Sequence, residues 1–245
     1  MSETDYRARL YPQYLSTRGV STASGIESEV ASRAPYLDRL IRRYLSPSRG
    51  TRILELGCGS GTLLARLGAA GYLDAVGVDA SEEQVQRARA RGIHSVTKGD
   101  VFETLEQLEA RSKDAILAFD IIEHLTKKEV VRLTEEVSRV LSPTGIWIIH
   151  TVNGESPFFG RVRYGDFTHE TTFTQRSIRQ ILLASGFRSV QCHEDAPVVH
   201  GIASLGRAAL WSVVRIGVRL MLAAETGDIR SPMIISQNFL TIASK

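Results

Sequence analysis

The chain reads as an α/β protein on a doubly wound, mostly parallel, seven-stranded sheet, and three observations predict it. Short apolar runs alternate with amphipathic helical patterns from residue 52 to residue 151, the order that lays strands side by side with helices on both faces. The first run, residues 53–61 (Ile-Leu-Glu-Leu-Gly-Cys-Gly-Ser-Gly), ends in an acid and three alternating glycines. A second, Val76-Gly77-Val78-Asp79, ends in an acid about 20 residues beyond the first glycine, the separation at which a neighbouring strand offers a carboxylate to ribose hydroxyls. Glycines at 57, 59 and 61 let the backbone turn tightly and come close to a ligand where a Cβ would intrude. Together the two runs predict a nucleotide-like cofactor held across two strand ends.

The elements follow in order. Residues 1–25 are polar, with Gly and Ser, and are expected to form a short N-terminal arm or lid ahead of a single domain over 26–245. Residues 27–45 have helical spacing (Val30, Leu37, Leu40, Ile41, Tyr44, Leu45), with Pro35 expected to reset the start. Ser46-Pro47-Ser48-Arg49-Gly50 breaks the chain. Strands are expected at 52–56, 74–79, 94–98, 114–119 and 146–151, and helices at 60–70, 81–91, 103–111 and 127–141. The last helix opens on the capping pattern Thr126-x-x-Glu129. Beyond 151 come a helix over 174–185 ended by Gly186, a strand over 188–193 and a terminal strand over 237–243. Between those strands lies an extra apolar helix, 202–224, an insertion before the last strand. Arg207, Arg215 and Arg219 form one basic stripe on it, which argues against a transmembrane span. Packing on the sheet, a homodimer through 202–224 and peripheral contact with anionic lipid remain open for it.

Composition narrows the class. At 245 residues and 43% hydrophobic there is ample core for one large domain. A net charge of +3, with arginines in scattered pairs, does not make a nucleic-acid surface. Two distant cysteines, Cys58 and Cys192, and a polar N-terminus without a signal-peptide core lead to the expectation of a cytoplasmic protein.

The glycine spacing selects among cofactors. A nicotinamide or flavin fingerprint would put the third glycine at 62, but Thr62 stands there and Gly61 comes one place early. Glu55 precedes the loop, where a negative charge suits a cationic ligand better than a pyrophosphate. The pattern resembles the class I S-adenosylmethionine (SAM) methyltransferases, best over residues 50–150. The resemblance implies a SAM pocket of Glu55, Gly57, Gly59 and Gly61 around the methionine part, with Asp79 on the ribose. It likewise implies that Asp100 and Val101 hold the adenine and that Phe119 and Asp120 close the pocket from the end of the fourth strand.

Acceptor activation must come from elsewhere. Asp120, Glu123 and His124 are spaced i, i+3, i+4, so they converge if the segment is a helical turn, and two carboxylates with an imidazole suit a divalent metal. A second polar segment, Tyr164-Gly165-Asp166-Phe167-Thr168-His169-Glu170, follows the fifth strand. Asp120-x-x-Glu123-His124 with His169-x-x-x-Phe173-Thr174 resembles the metal-dependent small-RNA 2′-O-methyltransferases. That resemblance implies Mg²⁺ or Mn²⁺ on Asp120, Glu123, His124 and His169. The alternative is a metal-free general base among His124, His169 and His150. A cation with two open positions favours a diol, hence a sugar or ribose. The region from 153 to 173 and the 202–224 helix resemble bacterial polysaccharide O-methyltransferases, including the mycobacterial methylmannose polysaccharide enzymes. A sugar or oligosaccharide acceptor is therefore expected, with Phe158, Phe159, Tyr164 and Phe167 as stacking surfaces. An RNA 3′-terminal ribose, a small phenolic metabolite and a non-catalytic SAM-binding subunit are the alternatives.

Overall fold

The structure is a computed structural model that describes residues 6–14, 23–227 and 233–245, with side chains in 23–32 and at 8 and 13 outside the description. Seven strands form one sheet: β1 (Ile53–Leu56), β2 (Ala75–Asp79), β3 (Val96–Lys98), β4 (Lys113–Phe119), β5 (Leu141–Val152), β6 (Ser189–Glu194) and β7 (Asn238–Ser244). Their order is β3-β2-β1-β4-β5-β7-β6. The first five are parallel, and β7 runs antiparallel between β5 and β6. The order reverses between β1 and β4, the place where an open α/β sheet leaves a crevice at its carboxyl edge.

The helices are α1 (Tyr6–Leu10), α2 (Ala23–Tyr44), α3 (Thr62–Ala69), α4 (Glu82–Ala90), α5 (Val101–Gln107), α6 (Lys127–Val140), α7 (Phe159–Arg163), α8 (Gln175–Ala184) and α9 (Ile202–Thr226). One core lies under α5, α6 and α8, around Leu105, Leu133, Val137, Trp147 and Leu182. The other lies under α2, α3 and α4, around Leu40, Ile53, Leu67, Val85 and Ile148. Each fully buried aliphatic side chain contributes roughly 1.5–3 kcal/mol of transfer free energy.

Four expectations need correction. Pro35 does not reset the first long helix, which starts at Ala23 and carries Pro35 inside. The helix expected at 103–111 is α5, because the Asp100 carboxylate accepts the N–H groups of Phe102 and Glu103 and fixes the start at Val101. β5 begins at Leu141, directly after α6, with a register shift opposite Lys113/Ala115 before it reaches the expected 146–151. The 202–224 segment is helical, but its apolar side is not packed on the sheet: only Ser204 is buried along α9. Among the described residues no helix is long and apolar enough to cross a membrane.

Candidate functional site

The carboxyl ends of β1, β2, β4 and β5 open into a cavity of about 890 Å³. After β1 the chain turns at Gly57 with φ of +64°, and a Cβ there would stand 2.8 Å from the Ile121 side chain. The loop is tied to β2: Gly59 N–H donates to Asp79 Oδ2 at 2.7 Å, and Ser81 N–H donates to Oδ1 at 2.9 Å. Burial raises the Asp79 pKa. Each carboxylate oxygen keeps a further lone pair for a ligand hydroxyl. Glu55 is buried with Oε2 unpartnered, and burial, then the charge of Asp79, pushes its pKa well up. Glu55, Gly57, Gly59, Asp79, Asp100, Val101 and Phe119 all line this cavity. Gly61 does not. It caps α3 in the left-handed region, φ +73°, and a Cβ would press on Ile93 at 3.0 Å, so its expected place at the cofactor is corrected to helix packing.

Beyond β4 two histidine–carboxylate groups stand side by side. Asp120, at φ +53°, accepts from His150 Nδ1 at 2.5 Å and pairs with Arg33 at 3.1 Å. His150 Nε2 reaches Asp195 at 3.3 Å, and Phe119 stacks on the ring with centroids 5.4 Å apart. Burial alone would lower the His150 pKa, but Asp120 and then Asp195 raise it far above the ordinary value. An imidazolium held between two carboxylates has no lone pair for a substrate proton. The expectation of His150 as a base is therefore corrected: it braces the end of β5.

His124 belongs to the second group. Ile122–His124 form a 3₁₀ turn whose Glu123 carbonyl accepts from Glu170 N–H at 2.7 Å and Thr171 N–H at 3.0 Å. Those two bonds zip the 166–171 loop onto the turn and set the His124 and His169 rings 4.7 Å apart. Thr168 Oγ1 lies 2.8 Å from His124 Nδ1 and donates to Asp166 Oδ1 at 2.6 Å. The carboxylate can only accept, so Thr168 spends its proton on Asp166 and its oxygen accepts from His124 Nδ1–H. Nε2 of His124 is left with its lone pair. Burial first, and then neighbouring His169, push the His124 pKa down to about 4. Burial also lowers His169, whose Nδ1 is buried without a hydrogen-bond partner.

Ligand atoms of His124, Asp166 and His169 lie within 4.8 Å of one another. Asp120 and Glu123 line the same cavity but stand outside this trio. Asp120 is taken by His150 and Arg33; Glu123 is buried, accepts from Thr151 Oγ1 at 2.8 Å, and has its pKa raised by burial and then by Asp120. The expected four-ligand set is thus brought together only in its two histidines, and Asp166 supplies the carboxylate. Sequence reasoning missed Asp166, Thr168 and Tyr14. The available signal was Asp166-x-Thr168, in which the acid accepts the N–H two residues on, here at 2.9 Å. Phe173 is core and Thr174 caps α8.

The described part of the N-terminal arm lies against this group. Arg7 makes a bidentate pair with Glu129 at 2.6 and 2.9 Å and donates to the His124 carbonyl at 2.7 Å. Tyr14 O–H donates to Asp166 Oδ2 at 2.6 Å, and Tyr6 O–H donates to Glu170. Phe158, Phe159, Tyr164 and Phe167 are all exposed.

Comparison with known proteins agrees with this layout. Residues 30–192 match the family described as Methyltransferase domain. A ubiquinone biosynthesis O-methyltransferase of Chelativorans sp. (strain BNC1) is 34% identical over 117 residues, which is 45% of this chain and 44% of that protein. The matched stretch thus spans less than half of that relative. A SAM-dependent methyltransferase structure from Archaeoglobus fulgidus superposes with a TM-score of 0.65 at 21% identity, over 90% of this chain and 98% of that one. A phosphoethanolamine N-methyltransferase 2 from Haemonchus contortus, solved with SAM, gives 0.62 at 19% identity over 96% and 59%. These two likenesses are of fold, that of SAM-dependent methyltransferases. With two thirds of its length matched, including the glycine loop and both histidine groups up to His150 and His169, the chain belongs to the methyltransferase-domain family.

Proposed function

We propose that this chain is a SAM-dependent O-methyltransferase that activates an acceptor hydroxyl at the His124–Asp166–His169 cluster. The observation that carries this reading is the meeting, beside the cofactor loop, of two imidazoles that burial keeps neutral and one carboxylate. SAM supplies an electrophilic methyl group and needs no residue to activate it. The acceptor does, because a simple alcohol is un-ionised at neutral pH.

The donor set fits a divalent ion of the Mg²⁺ or Mn²⁺ kind, since metal-bound imidazole must be neutral and His169 Nδ1 is an orphaned buried donor. His124 Nε2, His169 Nδ1 and an Asp166 oxygen would hold it, and a bound cation would lower the pKa of a coordinated hydroxyl. Thr168 fixes the His124 tautomer from behind. Asp79 and Gly57–Gly59 orient the cofactor, and Arg7 and Tyr14 hold the arm over the cluster, which supports a lid role that excludes water.

The acceptor we favour is a hydroxyl of a sugar or oligosaccharide. Two neighbouring oxygens of a diol match a cation with open positions, and the four exposed aromatic rings on 158–167 offer stacking surfaces beside His169. A phenolic acceptor is the second reading, favoured by the 34% identity to a protein named for ubiquinone biosynthesis. Phenols ionise near pH 10 and need less help. The test is methyl transfer from labelled SAM to mannose oligosaccharides, a catechol and an RNA 3′ end, each with and without EDTA. Chelator-sensitive sugar methylation, restored by Mn²⁺ or Mg²⁺, supports the proposal. Transfer confined to the phenol or the RNA removes the sugar, transfer indifferent to EDTA removes the metal, and SAM binding without any transfer leaves a non-catalytic subunit.

A further inference from the structure

α9 is lightly anchored: of its 25 residues only Ser204 is buried. A half-buried stripe through Ala208, Trp211 and Val218 faces the body, where Arg215 pairs with Glu194 at 3.0 Å. The opposite side presents Ile202, Leu205, Val213, Ile216 and Leu220, all between 58% and 92% exposed. At 1.5 Å per residue these five cover roughly 27 Å of one helix face. A contiguous apolar surface of that extent on a water-facing helix marks a contact with something apolar.

Charge decides what that contact is. Along its whole length the helix carries Arg207, Arg215 and Arg219 against a single acid, Glu225 in the last turn. With about 100° per residue, exposed Arg219 borders this apolar face, whereas Arg207 lies on the side that lines the inner pocket. A second copy laid against this face would set helices of like net charge together, three arginines and Glu225 alone from each. An anionic bilayer supplies both missing partners, an acyl boundary for the aliphatic side chains and negative headgroups for Arg219. The helix is 25 residues long, and its arginines keep it from spanning: among the described residues no helix is both long and apolar enough to cross a membrane.

We infer that α9 is an interfacial helix that docks this protein on an anionic lipid surface, lying in the plane of the bilayer. Docking there bears on the site. The inner side of α9, at Leu210, Trp211 and Val214, walls a pocket of about 470 Å³ that reaches His150, and Arg33 lines both this pocket and the larger cavity.

The experiment is co-sedimentation of the whole chain with vesicles of phosphatidylcholine alone or mixed with phosphatidylglycerol, alongside light scattering of the free protein. The inference expects binding to the mixed vesicles, weaker by roughly tenfold or more on neutral vesicles and at high salt. A V213E/I216E/L220E variant loses binding with its melting temperature intact, because those positions touch no core. An R219E variant loses much of the preference for anionic lipid. Failure to sediment with mixed vesicles overturns the inference, as does a dimer that the triple variant dissociates and that does not bind vesicles. No turnover is measured, so neither result bears on the methyl-transfer reading.

Discussion

His150 and His124 stand at the ends of neighbouring segments, each within reach of a carboxylate, and they are driven to opposite protonation states. His150 touches Asp120 and Asp195 directly and is held as a cation. His124 meets Asp166 only through the Thr168 hydroxyl and is held neutral. One interposed hydroxyl changes what the carboxylate does, from stabilising a charge to orienting a lone pair. Residue type and nearness to an acid do not make a base; the atom in between does.

The largest expected effect comes from breaking the neutral side. His124→Ala or His169→Ala lowers kcat by about 10²–10⁴-fold, the usual weight of an acid–base or hydroxyl-activating group, while SAM affinity by calorimetry stays unchanged. Near-normal turnover in either variant removes it from the chemistry. Asp79→Ala comes next: it strips two charge-assisted backbone bonds and a ligand site, and SAM binding weakens by roughly 10–100-fold. Thr168→Val sharpens the comparison most finely, because it leaves both histidines and the acid in place. Freed of its fixed tautomer, His124 loses about 10–100-fold in activity or metal affinity, and Thr168→Ser restores it.

Breaking the charged side affects stability instead. The His150 pKa is raised on folding, so its ion pairs contribute fully below the unfolded value of about 6.5 and are lost as pH climbs into the alkaline range. Asp120 is depressed, chiefly by His150 against the opposing effect of burial, so its contribution is lost only in strong acid. Asp120→Asn should cost roughly 1–3 kcal/mol at pH 7, below a fully buried pair because the Asp120 side chain is 40% exposed. Its melting temperature should also fall less steeply than wild type between pH 7 and alkaline pH. The smallest functional effect is expected of Gly61→Ala. At φ +73° and against Ile93 it costs about 1–2 kcal/mol of stability, with SAM affinity of the folded protein unchanged.

The comparison also shows what the sequence could reveal. The alternation of strands with helices and the cofactor loop were legible because each rests on local signals: alternating periodicity, Gly57 and Gly59 before a helix, Asp79 at a strand end. Asp120-x-x-Glu123-His124 looked like one cluster on spacing alone. A left-handed Asp120 turns its carboxylate towards His150, away from His124, and no pattern announces that. The Asp166–Thr168–His124 contact spans 44 residues in sequence and depends on two backbone bonds to the Glu123 carbonyl, a pairing that leaves no periodic trace. In α9 the amphipathic pattern was plain, but which side met the body was not, since the half-buried side is set by Trp211 and the Arg215–Glu194 pair.

Nitrogen-15 NMR of the imidazole rings in chelator-treated protein at pH 7 tests the central claim most directly. His124 should be neutral with its proton on Nδ1, and His150 should be protonated on both nitrogens. A charged His124, or one with its proton on Nε2, would contradict the account, because no lone pair would then face the acceptor.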